Sequence, residues 1–186
     1  MGICGIVLAA GAGTRYGAPK GVTRGADGEP WVARSVRTLQ AGGCDDVLVV
    51  VGARAAEVTA LIPDGIGTVV AADWSDGLSA SLRAGLRAAS MLGCDAAVVM
   101  PVDTPDAAPA AITRVIAALG TDPVHALAQA VYGGEPGHPV ALGAAHLAPA
   151  AESLSGDRGA RAYLIAHDAL EIECADLWSG ADIDTR

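Results

Sequence analysis

Apolar residues along this chain fall into short continuous runs of strand length, separated by longer Ala-rich stretches of helical period. Gly5 to Ala10 is unbroken apolar sequence closed by Gly11, as expected of a strand buried on both faces. Val47 to Val51, closed by Gly52, repeats the pattern, as do Gly67 to Ala72 and Ala96 to Val102, the last closed by Asp103. Between these runs, Trp31 to Ala41, Ala53 to Leu61, Ser79 to Leu92 and Ala108 to Leu119 carry helical spacing. Strict alternation of this kind predicts right-handed βαβ units and an α/β fold. Two further strands are expected at Val124 to Val131 and His138 to Leu142. The cluster Gly133-Gly134-Glu135-Pro136-Gly137 between them predicts a turn and an antiparallel ribbon. A short strand at Leu170 to Cys174 closes the pattern. No repeat, linker or charge block divides the chain, so residues 1–186 read as one domain.

Composition narrows the picture. Hydrophobic residues make up 52% of the chain against 18% charged, with no Phe and 3% aromatics, so the core must come from Ala, Val, Leu and Ile. A net charge of −9 and the lack of any basic run argue against a nucleic-acid partner. No apolar stretch approaches the roughly 20 residues of a spanning helix. The start lacks a signal peptide's basic region and a myristoylation signal's Ser or Thr at position 6. Cys4, Cys44, Cys94 and Cys174 lie far apart, without metal or redox spacing, and read as buried thiols in a reduced compartment. The expected location is the cytoplasm, with no membrane partner.

One compositional oddity has an address. Eleven of the 12 basic residues are Arg and one is Lys, and that lysine, Lys20, lies just beyond the first expected strand. GC-rich codon bias explains the scarcity of lysine but not its position. In an open α/β sheet, ligands sit outside the carboxyl ends of the strands. There the first strand runs into Ala10-Gly11-Ala12-Gly13-Thr14-Arg15-Tyr16-Gly17-Ala18-Pro19-Lys20, and the fourth into Pro101-Val102-Asp103-Thr104-Pro105.

A Gly-rich turn after a first strand brings backbone N–H groups close to phosphates. The P-loop pattern is absent. The dinucleotide fingerprint fails at its third glycine, where Tyr16 stands, and Gly52-Ala53-Arg54 replaces the acid expected after the second strand. Arg54 would suit a 2′-phosphate, so an NADP-binding module stays open on this evidence. Arg15 and Lys20 offer a planar fork and a point charge suited to a triphosphate. Asp103, at the mouth of the fourth strand, suits a hard cation such as Mg²⁺, while Asp106 is the better candidate to cap the following helix.

The stretch Leu8 to Lys20 resembles the signature of the MobA-like nucleotidyltransferases. Four more segments follow in the family's order: Trp74-Ser75-Asp76-Gly77-Leu78-Ser79-Ala80-Ser81-Leu82-Arg83-Ala84-Gly85, Gly137-His138-Pro139-Val140, Gly156-Asp157-Arg158-Gly159-Ala160-Arg161 and Asp182-Ile183-Asp184-Thr185. These resemble the molybdenum cofactor cytidylyltransferase branch and span nearly the whole chain.

The resemblance implies a Rossmann-like three-layer α/β/α nucleotidyltransferase fold, mostly parallel with an antiparallel excursion. It implies a nucleotide site of Leu8, Ala9, Ala10, Gly11, Ala12, Gly13, Thr14, Arg15 and Lys20, with catalytic roles for Lys20, Arg15 and Asp103. Ser79 and Ser81 either bind base or ribose or cap a helix. Mg²⁺ would lie between Asp103 and Asp184, with Asp182 the weaker candidate. His138, Arg158 and Arg161 are the acceptor candidates, with purely structural roles as the alternative.

Leu8-Ala9-Ala10-Gly11 resembles the cytidylyl rather than the guanylyl branch, which implies CTP. The implied acceptor is molybdopterin or its molybdenum-loaded form, with delivery to a molybdoenzyme or its chaperone. The sequence departs from the family at Gly21-Val22-Thr23-Arg24 and at Pro-Val-Asp-Thr-Pro, both near the expected acceptor. A guanylyl- or other nucleotidyltransferase for a different phosphorylated acceptor, such as a sugar phosphate, is the alternative. A catalytically silent scaffold is a further one.

Overall fold

A computed structural model describes residues 2–185. One seven-stranded sheet runs through them, built from β1 (Ile3–Ala9), β2 (Asp46–Val51), β3 (Gly67–Val70), β4 (Ala96–Pro101), β5 (Leu127–Tyr132), β6 (Glu135–Gly143) and β7 (Leu170–Glu173). Their order is β3-β2-β1-β4-β6-β5-β7. β1, β2, β3 and β4 are mutually parallel, and β6 runs antiparallel to both β4 and β5. β7 pairs parallel with β5, so β6 is the one reversed strand. The Gly133–Gly134 turn reverses the chain between β5 and β6, with both glycines at positive φ.

The helices are α1 (Trp31–Ala41), α2 (Ala55–Thr59), α3 (Leu78–Leu92), α4 (Pro109–Ala117), α5 (Ala144–Ser153) and α6 (Arg161–Ala166). Every residue of β1 is buried, and its side chains alternate between two cores. Ile3, Val7 and Ala9 face α1 and α4, packing with Val32, Val36, Leu39, Ile112 and Val115. Cys4, Ile6 and Leu8 face α3 and α5, packing with Leu82, Leu86, Leu147 and Ala150. Two-sided burial is why the strand reads as continuous apolar sequence rather than as an alternation. The two cores give three layers, α/β/α, built from aliphatic residues as the composition requires. Each fully buried Val, Leu or Ile contributes about 1.5–3 kcal/mol here.

The differences from the sequence reading have local causes. Residues 123–125 form a 3-10 turn behind Pro123, so β5 starts at Leu127 instead of Val124. The helix expected from Ala53 starts at Ala55 because Arg54 sits in the left-handed region, φ 52°, just before it. α3 begins at Leu78 with Gly77 at its N-cap, and no side chain caps it, which removes the capping role from Ser79 and Ser81. Ala108 occupies the N-cap of α4 and Pro109 follows it, so Asp106 does not cap that helix. The four cysteines are free thiols, with Cys4, Cys44 and Cys174 buried and Cys94 half-buried. Among the described residues, no helix is long and apolar enough to cross a membrane.

Candidate active site

β1 and β4 are neighbours, yet the chain leaves β1 toward β2 on its other side. The crevice between their carboxyl ends is therefore the topological switch point of the sheet, where open α/β folds bind ligands. A cleft of about 660 Å³ opens there. Its floor is Leu8, Ala10, Pro101 and Val102, and its roof the loop Gly11 to Tyr16. Trp74, Ser75, Gly77, Leu78 and Ser81 contribute a wall, and Lys20, Asp103 and Asp184 a charged end.

The roof depends on Gly13. Its φ is +60°, and a Cβ placed there would lie 1.9 Å from the Ala18 carbonyl oxygen. The same turn closes through the Gly17 N–H, which donates to the Gly13 carbonyl at 2.8 Å. Only glycine permits this approach, which folds residues 13–18 into a tight turn and returns the chain to Lys20.

Lys20 is the hub of the charged end. Its Nζ donates to Asp103 Oδ2 at 2.8 Å and to Asp184 Oδ1 at 2.9 Å, residues 83 and 164 positions away in sequence. The lysine side chain is 14% exposed, so its ammonium is committed to this pair. Burial alone would lower its pKa, but the hydrogen bonds to Asp103 and Asp184 outweigh that and raise it. The Asp184 carboxyl is held below its ordinary range, first by the hydrogen bond from Lys20 and then by its charge, with a smaller contribution from Arg15. Arg15 lies 3.5 Å from Asp184 but its side chain is 80% exposed, which leaves it free to turn toward a ligand.

Asp184 reaches this place because the C-terminal segment is strapped to the fold. Leu177, Trp178 and Ile183 pack on the α1/α4 core, and Trp178 meets Tyr132 edge-on at 5.4 Å between ring centres. The Ile183 N–H donates to the Asp103 carbonyl at 2.9 Å, tying the backbone of the tail to the end of β4. Asp182 joins the group: Asp103, Asp182 and Asp184 each offer an oxygen within 4.8 Å of the others. Asp103 Oδ1 is buried without a hydrogen-bond partner. An orphaned carboxylate oxygen beside two further carboxylates fits a hard divalent cation, which takes oxygen ligands.

Of the nucleotide-site candidates, Leu8, Ala10, Gly11, Ala12, Gly13, Thr14, Arg15, Lys20 and Ser81 line the cleft. Ala9 and Ser79 are buried and do not; the Ser79 N–H instead donates to the Gly156 carbonyl at 3.1 Å, fastening the 154–160 loop to α3. None of His138, Arg158 and Arg161 lines the cleft. His138 is half-buried; burial pushes its imidazole pKa down, against the opposing pull of Asp103 and Asp182. Arg158 and Arg161 are exposed.

The cleft also contains residues for which no role was expected: Tyr16, Trp74, Ser75, Gly77, Leu78, Pro101, Val102 and Asp157. All of them lie inside segments already set apart in the sequence, and that was the available signal. Arg54, the residue that kept NADP binding open, is paired with Glu57.

The strands thus deliver a glycine loop and a carboxylate to one switch point, with a lysine joining them, and the comparisons with known proteins give this arrangement its class, a nucleotidyltransferase. The chain belongs to the MobA-like NTP transferase domain family, whose model matches residues 5–170. Its curated relatives include nicotine blue oxidoreductase of Paenarthrobacter nicotinovorans, 32% identical over 98% of this chain and 92% of the relative. The crystal structure of Rv0371c from Mycobacterium tuberculosis H37Rv superposes with a TM-score of 0.82 at 27% identity, covering 100% of this chain and 93% of that one. A second crystal structure of that protein is a complex with manganese, with a TM-score of 0.73 at 26% identity over 93% of this chain and 88% of the other.

Proposed function

We propose that the protein transfers a nucleoside monophosphate, CMP from CTP, onto a phosphorylated acceptor and releases pyrophosphate. The carrying observation is the joining of Lys20, Asp103 and Asp184 at one end of a cleft roofed by the glycine loop. In this reading a phosphate oxygen of the acceptor attacks the α-phosphorus in line. The P–O bond to the β-phosphate breaks, and pyrophosphate leaves with that bond's electron pair. The nucleophile is already ionised near neutral pH, so no general base is required, and catalysis is positioning and electrostatics.

The backbone N–H groups of Gly11 to Thr14 cradle the phosphates, and Arg15 turns from solvent onto the departing pyrophosphate. Lys20 adds its charge where negative charge accumulates. Asp103 and Asp184 would hold Mg²⁺, with Asp182 beside them, and the cation when bound neutralises charge on the α-phosphate. The manganese complex of the M. tuberculosis relative supports a divalent cation in this fold.

CTP is favoured over GTP by the methyl group of Ala10, which lines the cleft where a glycine would leave more room for a purine. Ser81 and Trp74 lie along the wall available to base and ribose. Molybdopterin, or its molybdenum-loaded form, is the favoured acceptor, held by His138, Arg158 and Arg161, and the cytoplasm is the place of action. A sugar phosphate is the alternative acceptor. For each, the test is pyrophosphate release from each of the four nucleoside triphosphates with Mg²⁺ and acceptor. Release from CTP with molybdopterin supports the reading, and release from GTP alone overturns the assignment of Ala10.

A second reading comes from the Paenarthrobacter relative, whose name is that of an oxidoreductase. On that reading the cleft would take a hydride-donating dinucleotide. Tyr16 at the third glycine position and the pairing of Arg54 with Glu57 weigh against it. Thermal protection by NADH or NADPH, without protection by any nucleoside triphosphate plus Mg²⁺, would decide in its favour.

A further inference from the structure

Two of the carboxylates grouped to hold a divalent cation already share another cationic partner. Asp103 Oδ2 and Asp184 Oδ1 each accept a hydrogen bond from the same ammonium, at 2.8 and 2.9 Å. A small divalent cation would draw the same oxygens to about 2.0–2.6 Å of itself. It would then lie within van der Waals reach of a second positive charge, in a site shielded enough for that repulsion to count. The ammonium and the cation are therefore competitors, and the lysine, being tethered, is present at high effective concentration.

We infer that Lys20 is the internal occupant of the cation site in the ligand-free protein, so that a divalent cation binds there only when a triphosphate draws the ammonium away. This rests on the nucleotidyltransferase reading and goes beyond it by fixing how metal and nucleotide binding are coupled. A triphosphate offers Lys20 several anionic oxygens a short distance along the same cleft. Once the ammonium moves onto them, Asp103 and Asp184 become free to ligate, and Asp103 Oδ1, without a partner until then, can join them. Linkage makes the effect reciprocal, so the bound cation raises nucleotide affinity by the same factor. Arg15 does not share this role, because it is largely exposed and touches only the Asp184 side of the group.

The experiment is a titration with Mn²⁺ alone, without nucleotide, following free Mn²⁺ by electron paramagnetic resonance. Lys20→Met removes the charge and keeps the apolar stem, while Lys20→Arg keeps a cation in place. The expected result is that Lys20→Met binds Mn²⁺ at least about tenfold more tightly than the parent, while Lys20→Arg stays as weak as the parent. Adding Asp103→Asn to Lys20→Met should abolish the gain, which locates the ion. Thermal melts check folding, and Lys20→Gln replaces the methionine variant if that one is misfolded.

A folded Lys20→Met or Lys20→Gln protein that binds Mn²⁺ no more tightly than the parent overturns the inference. So does a gain that survives Asp103→Asn. Failure of the nucleotidyltransferase reading would appear elsewhere, as a parent protein that no nucleoside triphosphate protects in the presence of Mg²⁺.

Discussion

Lys20 Nζ lies 2.8 Å from Asp103 Oδ2, a contact that joins the end of the glycine loop to the end of β4. Two residues so joined should behave as a unit in catalysis. Replacing either one, as Lys20→Ala or Asp103→Asn, is expected to lower kcat/KM for pyrophosphate release by about 10²-fold or more. The double variant should lose little beyond the worse single one, because each change disables the same charge arrangement. Full additivity on a logarithmic scale would show that the two act separately.

Gly13→Ala tests the roof of the cleft. With φ at +60° and a carbonyl oxygen in the path of any Cβ, the loop cannot keep its course. A loss of about 1–3 kcal/mol in a denaturant melt is expected, together with loss of nucleotide protection. Gly11→Ala is the control, since a Cβ there meets nothing within 4 Å. Equal damage from both would refute a steric role specific to Gly13.

Ala10→Gly tests base choice. Removing the methyl group should shift the ratio of kcat/KM for CTP and GTP toward GTP by about tenfold, within the range a single methyl-sized change in a pocket supplies. An unchanged ratio would place base recognition elsewhere, with Ser81 and Trp74 as the next residues to vary.

Glu173, at the end of β7, gives a pH prediction. Its Oε1 accepts hydrogen bonds from the N–H groups of Gly133 at 3.2 Å, Cys174 at 3.1 Å and Ala175 at 2.9 Å. Those bonds, led by Ala175 and Gly133, hold its carboxyl below the ordinary glutamate range. A depressed folded-state pKa contributes stability that is present above the unfolded value and lost as pH falls through the folded one. The parent should therefore be more stable than Glu173→Gln at neutral pH, and the two should converge in acid. Parallel stability curves down to the acid limb would refute the assignment.

Much of this protein was legible in its pattern of residues. β1, β2 and β4 are buried on both faces, so they read as unbroken apolar runs, and the alternation with helices gave the parallel sheet. Gly133 and Gly134 marked the reversal into β6 because positive φ at both positions favours glycine. The glycine loop was legible for a similar reason, since its backbone demand at Gly13 is met by glycine.

Boundaries were less legible where a local conformation intervened, as at Pro123 and at left-handed Arg54. His138, Arg158 and Arg161 lie outside the cleft lining, and a motif can mark a segment without saying which way its side chains turn.

The sequence by itself determined the layers of the fold, the position of the glycine loop and the identity of the one lysine beyond it, because strand burial and backbone conformation are local demands. Only the tertiary structure decided what that lysine touches. Asp184 lies 164 residues away, in a tail brought back by Trp178 on Tyr132 and by the Ile183 N–H on the Asp103 carbonyl. No local pattern encodes such a meeting. It arises because the packed sheet fixes where β4 ends, and the apolar side chains of the tail have one face of the α1/α4 core on which to lie.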